Sequence, residues 1–205
     1  VDYIRTTTGT GFFVHPDGVI MTNAHIAQFL LLEETTELGE TECRIRAGDP
    51  AAPRYRAELL YLPPAWVQKN AALVDVDTPA GTGERDYAFL YIARTLDGSP
   101  LPGRFPHLSP ETTELRYADR GTLVTAAGYP AQAGANSAAT SSDVFVTATT
   151  TITDIFTFTS TTPDVITMHE TPVSAPGSSG GPIVNSAGDA IGVITTRGDT
   201  TRDSL

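Results

Sequence analysis

Short apolar runs broken by Gly, Pro and Asp recur along the whole chain, and they constrain the fold more than any other feature. Residues 11–14 and 19–22 flank His15-Pro16-Asp17-Gly18. Proline presets the backbone of a turn and Asp-Gly completes it, so the pair is predicted as a β-hairpin. Further strands are predicted over residues 44–47, 55–62, 86–93, 121–128, 144–153, 155–159, 165–169, 182–185 and 190–196. Many short strands separated by turn residues suggest an all-β barrel or sandwich. Strands do not alternate with long helices, which argues against a doubly wound parallel sheet. One helix is predicted over 24–32, with Thr22 or Asn23 as its cap. Residues 100–110 hold four prolines and a glycine and read as a connection between two domains. Residues 31–41 and 63–83 read as inserted surface loops.

Charge narrows the partners. The 205 residues carry 13 basic and 24 acidic side chains, a net charge of −11. Binding to nucleic acid phosphates needs clustered Lys and Arg, so nucleic acid is not expected as a partner. An anionic membrane surface is disfavoured for the same reason. The longest apolar run, 26–32, is broken by Gln28, and no membrane span is expected. The chain opens at Val1 without a charged-then-apolar leader, so any signal or anchor is expected to be removed or to lie outside this sequence. Cys43 is the one cysteine, which excludes an intrachain disulfide and leaves stability to the core.

The sharpest chemical signal is Gly177-Ser178-Ser179-Gly180-Gly181-Pro182 ahead of Ile183-Val184. A nucleophilic serine needs a tight turn that exposes its hydroxyl and aims backbone N–H groups at a developing oxyanion. Flanking glycines permit that turn, although a plain Gly/Ser loop has the same composition. Gly177-x-Ser179-x-Gly181 also fits the nucleophile elbow of α/β-hydrolases, where the catalytic His follows the Ser. Here His15, His25, His107 and His169 all precede Ser179, so the elbow reading fails.

His25 follows the hairpin at the junction of a strand and a helix, a rigid mount suited to a general base. Asp86 heads the apolar run Tyr87-Ala88-Phe89-Leu90-Tyr91-Ile92, where a partly buried carboxylate could orient an imidazole. Alone, each residue reads more readily as structural than as catalytic. Asp75 and Asp77 are rivals to Asp86 but lack an adjoining core strand.

Taken together these segments resemble the trypsin-like serine proteases. Gly9-Thr10-Gly11-Phe12-Phe13-Val14 and Val19-Ile20-Met21-Thr22-Asn23-Ala24-His25 are similar to the family's opening, most of all in the bacterial HtrA/Deg branch. Asp86-Tyr87-Ala88-Phe89-Leu90 resembles its Asp-x-Ala-x-Leu strand. Residues 176–185 resemble its serine loop, 191–195 the strand after it, and Ala127-Gly128-Tyr129-Pro130 adds a weaker match. The order His, Asp, Ser is the family's.

The resemblance implies two packed antiparallel six-stranded β-barrels, residues 1–105 carrying His25 and Asp86 and residues 106–205 carrying Ser179. It implies a serine endopeptidase with catalytic His25, Asp86 and Ser179 and an oxyanion hole of the Gly177 and Ser179 N–H groups. The substrate pocket would be lined by Val173 and Ser174 below and by Thr195, Thr196 and Arg197 along one wall. None of these is acidic, so a basic P1 residue is not expected. The substrate would be a polypeptide, with no cofactor and no metal, and the resemblance favours a periplasmic or extracytoplasmic location. A catalytically silent binding module and an acyl hydrolase on the same triad are the alternatives.

Two departures stand out. His25 and Asp86 are 61 residues apart, longer than usual in that branch, and the surplus falls in the two predicted loops. Only ten residues follow Thr195, where the family usually has another strand. The remaining features are bland. Glu33, Glu34, Glu37, Glu40 and Glu42 lack a calcium-loop pattern, the other histidines lack metal-ligand spacing, and Cys43 reads as a small buried hydrophobe.

Overall fold

The computed structural model describes residues 7–33, 41–70, 72, 83–130, 144–158 and 161–195. Ten strands form two five-stranded sheets, each a curled half-barrel. The first holds β1 (Phe12–His15), β2 (Val19–Thr22), β3 (Ile45–Gly48), β4 (Ala51–Tyr61) and β5 (Ala88–Thr95) in the order β1-β2-β5-β4-β3. The second holds β6 (Leu123–Gly128), β7 (Val146–Phe156), β8 (Val165–Met168), β9 (Pro182–Val184) and β10 (Ala190–Val193) in the order β10-β9-β6-β7-β8. Every strand pair is antiparallel. The expected all-β pair of antiparallel barrels is therefore what the chain builds. Each sheet has five strands among the described residues, against the six expected.

The two sheets use one plan in opposite order. The first is a hairpin, β1-β2, followed by a three-stranded meander that brings β5 back beside β2. The second is a meander, β6-β7-β8, followed by a hairpin that brings β9 back beside β6.

The hairpin over 12–22 forms as predicted, with Gly18 at φ 95° supplying the left-handed residue of its turn. A Cβ there would also press into Phe105. Phe105 belongs to the proline-rich connection, is buried, and stacks on Phe13 with ring centroids 4.6 Å apart. Its N–H donates to Pro16 O at 2.8 Å. The connection is thus fastened to the first sheet before the chain enters the second.

Local departures from the sequence reading are small. Strands expected separately at 144–153 and 155–159 are one strand, β7. The helix expected over 24–32 is one α-turn, α1 (Ala24–Ala27), followed by a 3-10 turn at Gln28–Leu32. Residues 63–83, read as loop, contain α2 (Pro64–Asn70). Pro64 suits a first helical position because its missing N–H has no partner to lose. Buried Trp66 then anchors the helix to the body. No helix among the described residues is long and apolar enough to cross a membrane.

Each sheet has its own core. Ile20, Ala27, Ala57, Ala88, Leu90, Ile92 and Phe105 fill the first, and Val124, Ile152, Ile155 and Ile183 fill the second. Ile92 is fully buried at the centre of β5. Truncating it removes apolar contacts and leaves a cavity that its rigid neighbours fill only in part. Ile92→Ala is expected to lower stability by about 2–5 kcal/mol. The shift of the urea midpoint, with the slope unchanged, checks this.

Candidate functional site

The topology brings the candidate residues to the facing rims of the two sheets. Thr22 at the end of β2 pairs with Ala88 at the start of β5. His25 lies three residues beyond the one and Asp86 two before the other, so both fall at one end of the first sheet. In the second sheet Val193 of β10 pairs with Pro182 of β9. Thr195 and Ser179 follow and precede these at one end in the same way.

Asp86 is the most heavily bonded of these side chains. Its Oδ1 accepts the His25 backbone N–H at 2.9 Å. Its Oδ2 lies 2.7 Å from His25 Nδ1 and accepts the Thr195 hydroxyl at 2.7 Å. Its backbone carbonyl accepts the Asn23 amide at 2.8 Å. The carboxylate side chain is 8% exposed and the His25 ring 26%. Burial pushes the Asp86 carboxyl up. The His25 ring, its charge and backbone N–H, and the Thr195 hydroxyl together outweigh burial, so the pKa falls below the ordinary aspartate value. An ionised carboxylate can only accept, so Nδ1 carries a proton and Nε2 of the neutral ring is left as a base. The chain enters Asp86 through Arg85, at φ 56°, a left-handed conformation that few non-glycine residues adopt.

Asn23 occupies the N-cap position of α1 with no side-chain cap bond. The expected cap is not made: the amide NH2 donates to the Asp86 carbonyl, and Oδ1, the atom that would cap the helix, is buried without a partner.

The serine segment is shaped by backbone bonds. Ser178 N–H donates to Ala175 O at 3.2 Å, Gly181 N–H to Ser178 O at 2.9 Å, and Gly180 N–H to Ile194 O at 2.8 Å. Gly177 and Gly180 sit at φ 92° and 89°. A Cβ at Gly180 would collide with the Thr10 carbonyl and the Thr22 hydroxyl, so only glycine fits where the loop meets the first sheet. The N–H groups of Gly177 and Ser179 donate to no described acceptor. No hydrogen bond joins the His25 ring to the Ser179 hydroxyl. Ser178 beside it is fully buried, and its hydroxyl has no partner.

The remaining sequence candidates are placed as follows. Val173 is buried at 1% exposure. The Ser174 hydroxyl accepts the Thr171 N–H at 3.0 Å within a local turn. Thr195, read as a pocket wall, turns its hydroxyl to Asp86. Thr196, Arg197, Asp75, Asp77, Glu34, Glu37 and Glu40 lie outside the described residues. Glu33 and Glu42 both hold Arg56, each at 2.8 Å. Burial, then the Glu33 charge, push the Cys43 thiol up to about 11, which leaves it protonated and a poor nucleophile. No group of three possible metal ligands gathers among the described residues.

This fold is that of the trypsin-like peptidases. The model of the trypsin-like peptidase domain matches residues 9–193, and the chain belongs to that family. Among solved structures it is similar to Deg5, with TM-score 0.53 and 19% identity over 95% of this chain and 76% of that one. It is also similar to the MamO protease domain from Magnetospirillum magneticum in its apo form, with TM-score 0.51 and 15% identity over 97% and 82%. A Glu endopeptidase in complex with MPD gives TM-score 0.51 and 14% identity over 97% and 78%. No curated protein sequence matches significantly.

The bonds on Asp86 make stability pH-dependent with a definite sign. Its folded pKa lies below the unfolded one, so it stabilises fully above the unfolded value, about 3.9. That contribution is lost as pH falls through the folded value. In urea titrations between pH 7 and pH 2, Asp86→Asn is expected to be less stable than the parent at neutral pH and to lose less on acidification. Parallel curves would contradict this.

Proposed function

We propose that the chain is a serine endopeptidase in which Ser179 is the nucleophile, His25 the general base and then acid, and Asp86 the carboxylate that orients His25. The observation that carries this reading is the buried, ionised Asp86 bonded to His25 Nδ1 at 2.7 Å, on a rim that also presents Ser179 from the other sheet.

Ser179 Oγ attacks the scissile carbonyl carbon as its proton passes to His25 Nε2. The carbonyl oxygen takes the negative charge and is held by the N–H groups of Gly177 and Ser179, which have no competing acceptor. The C–N bond then breaks, and His25 returns the proton to the leaving amine. Water, deprotonated by His25, cleaves the acyl-Ser179 ester in the same two stages. The Asp86 negative charge stabilises the imidazolium at each one. The absence of a His25–Ser179 hydrogen bond is compatible with this scheme, because such bonds often tighten only with substrate bound. We assign residues 1–105 and 106–205 as the two domains whose facing rims take the polypeptide.

That same gap between His25 and Ser179 is the one observation favouring a catalytically silent binding module. Fluorophosphonate labelling with peptide mapping separates the two readings. Label is expected on Ser179 alone, abolished by Ser179→Ala and by His25→Ala. Turnover of denatured casein by Ser179→Ala is expected to fall by about 10⁶-fold. No label on the folded parent chain would leave the binding module as the reading. Label on Ser178 would move the nucleophile.

Substrate preference follows from the same residues. Val173 and Ser174 offer no negative charge to a basic side chain, so cleavage of a denatured protein mixture is expected to avoid Lys and Arg at P1 and to favour small apolar groups. Mass-spectrometric mapping of the cut sites checks this, and dominant cleavage after Lys or Arg would contradict it.

A further inference from the structure

Thr10 is the most fully used residue at the junction of the two sheets. It lies just ahead of β1 and is 5% exposed. Every polar atom it has is bonded. Its N–H donates to Ser179 O at 2.7 Å. Its hydroxyl donates to Gly177 O at 2.7 Å and accepts the Tyr129 N–H at 3.0 Å. Its carbonyl accepts the Thr22 hydroxyl at 2.7 Å.

The two carbonyls it grips belong to two peptide planes of the serine segment, and each plane is held at its other end too. The plane between Gly177 and Ser178 has its carbonyl on the Thr10 hydroxyl and its N–H on Ala175 O at 3.2 Å. The plane between Ser179 and Gly180 has its carbonyl on the Thr10 N–H and its N–H on Ile194 O at 2.8 Å. The plane between them, carrying the Ser179 N–H, is held through Ser178 O by Gly181 N–H at 2.9 Å. The fourth plane, between Pro176 and Gly177, carries the other oxyanion donor, and no described donor holds its carbonyl. The two planes share the Gly177 Cα, and at the observed φ of 92° the Gly177 N–H points where the next plane and the torsions at that Cα place it, so its direction depends on how firmly the next plane is fixed. That plane's tie to the first sheet is one side-chain hydroxyl.

We infer that Thr10 is a positioning residue for the oxyanion hole: its hydroxyl fixes the Gly177–Ser178 peptide and so aims the Gly177 N–H. This deepens the peptidase reading above and rests on it. Thr10 is buried at 5% exposure, with all its polar atoms committed to the protein. It acts through Gly177, across a sequence separation of 167 residues. The same hydroxyl also takes the Tyr129 N–H, so deleting it loosens Gly177 and leaves a second backbone group unpaired.

The test compares Thr10→Val, which keeps the shape and removes the hydroxyl, with Thr10→Ser, which keeps the hydroxyl. Fluorophosphonate labelling of Ser179 and hydrolysis of denatured casein are the readouts. Misaiming one donor is expected to lower kcat and the labelling rate of Thr10→Val by about 10–100-fold with little change in KM. Thr10→Ser is expected to stay within about threefold of the parent, because the bond survives. The pH midpoint of the rate is expected to be unchanged in both, since the His25–Asp86 pair is untouched. Equal rates for Thr10→Val and the parent would overturn the inference, as would equal loss in Thr10→Val and Thr10→Ser. If Thr10→Val fails to unfold cooperatively, Thr10→Ala replaces it. Failure of both variants to fold would assign the hydroxyl to the fold and overturn the inference as well. A parent chain that does not label at Ser179 is a different result: it removes the peptidase reading, and this inference with it.

Discussion

Asp86 is a buried negative charge, and the architecture around it is arranged so that the charge is tolerable. An ionised carboxylate taken out of water costs several kcal/mol unless donors replace the lost hydration. Three donors do so: the ring and the backbone N–H of His25, and the hydroxyl of Thr195. The first two come from the same sheet as Asp86 and the third from the other. The carboxylate can therefore be satisfied only when the sheets are docked in one register. Removing any donor would leave part of the cost standing, which is why a side chain with a plausible chemical role also has a structural one.

Hydrogen bonds join the two sheets at several points. The Thr10 N–H and hydroxyl donate to Ser179 O and Gly177 O, the Tyr129 hydroxyl donates to Gly48 O at 2.9 Å, and the Phe145 N–H donates to Asp49 Oδ1 at 3.2 Å. The two apolar clusters stay within their own sheets. Directional bonds fix orientation where greasy contact would tolerate sliding. Among the described residues two buried side-chain polar atoms have no partner, Asn23 Oδ1 and Ser178 Oγ, and both belong to residues near the candidate catalytic groups. Unsatisfied groups of this kind are costly and uncommon in folded proteins. Their location next to His25 and Ser179 matches the general pattern that strain collects at functional sites.

The parts legible in the sequence were those written locally. The hairpin over 12–22 was readable because Pro-Asp-Gly dictates a turn whatever surrounds it. The serine segment was readable because consecutive glycines mark backbone that must turn sharply or approach another chain closely, and Gly180 does both. Asp86 could be preferred to its rivals only through its position before a core strand. What could not be read depended on distant partners. Thr195 faces Asp86 across 109 residues of sequence, and nothing in 191–195 announces that its hydroxyl turns inward. Thr10, between Gly9 and Gly11, carries no local mark of its bonds to Gly177 and Ser179. Asn23 had the composition of a helix cap and spends its amide elsewhere. In each case a small polar side chain has several local uses, and tertiary contact chooses among them. The helix α2 was missed because its Ala and Pro content resembles loop, while its anchor is the burial of Trp66.

The long separation between His25 and Asp86 is less of an obstacle to a rigid site than it first looks. Joining the ends of a flexible segment costs free energy that grows only with the logarithm of its length. Much of that segment is not flexible at all, because β3, β4 and β5 form a continuous meander that returns the chain to the side of β2. The distance between His25 Nδ1 and Asp86 Oδ2 is therefore set by the β2–β5 register, from Val19↔Tyr91 to Thr22↔Ala88, and by the bonds beyond its end. Added residues between strands lengthen the connections without entering that register. A one-residue slip in the β2–β5 pairing would do the opposite. It would turn Ala88, Leu90 and Ile92 out of the core and carry Asp86 away from His25 in the same step, since side chains alternate faces along a strand. Core packing and site geometry are thus enforced by one and the same strand pairing.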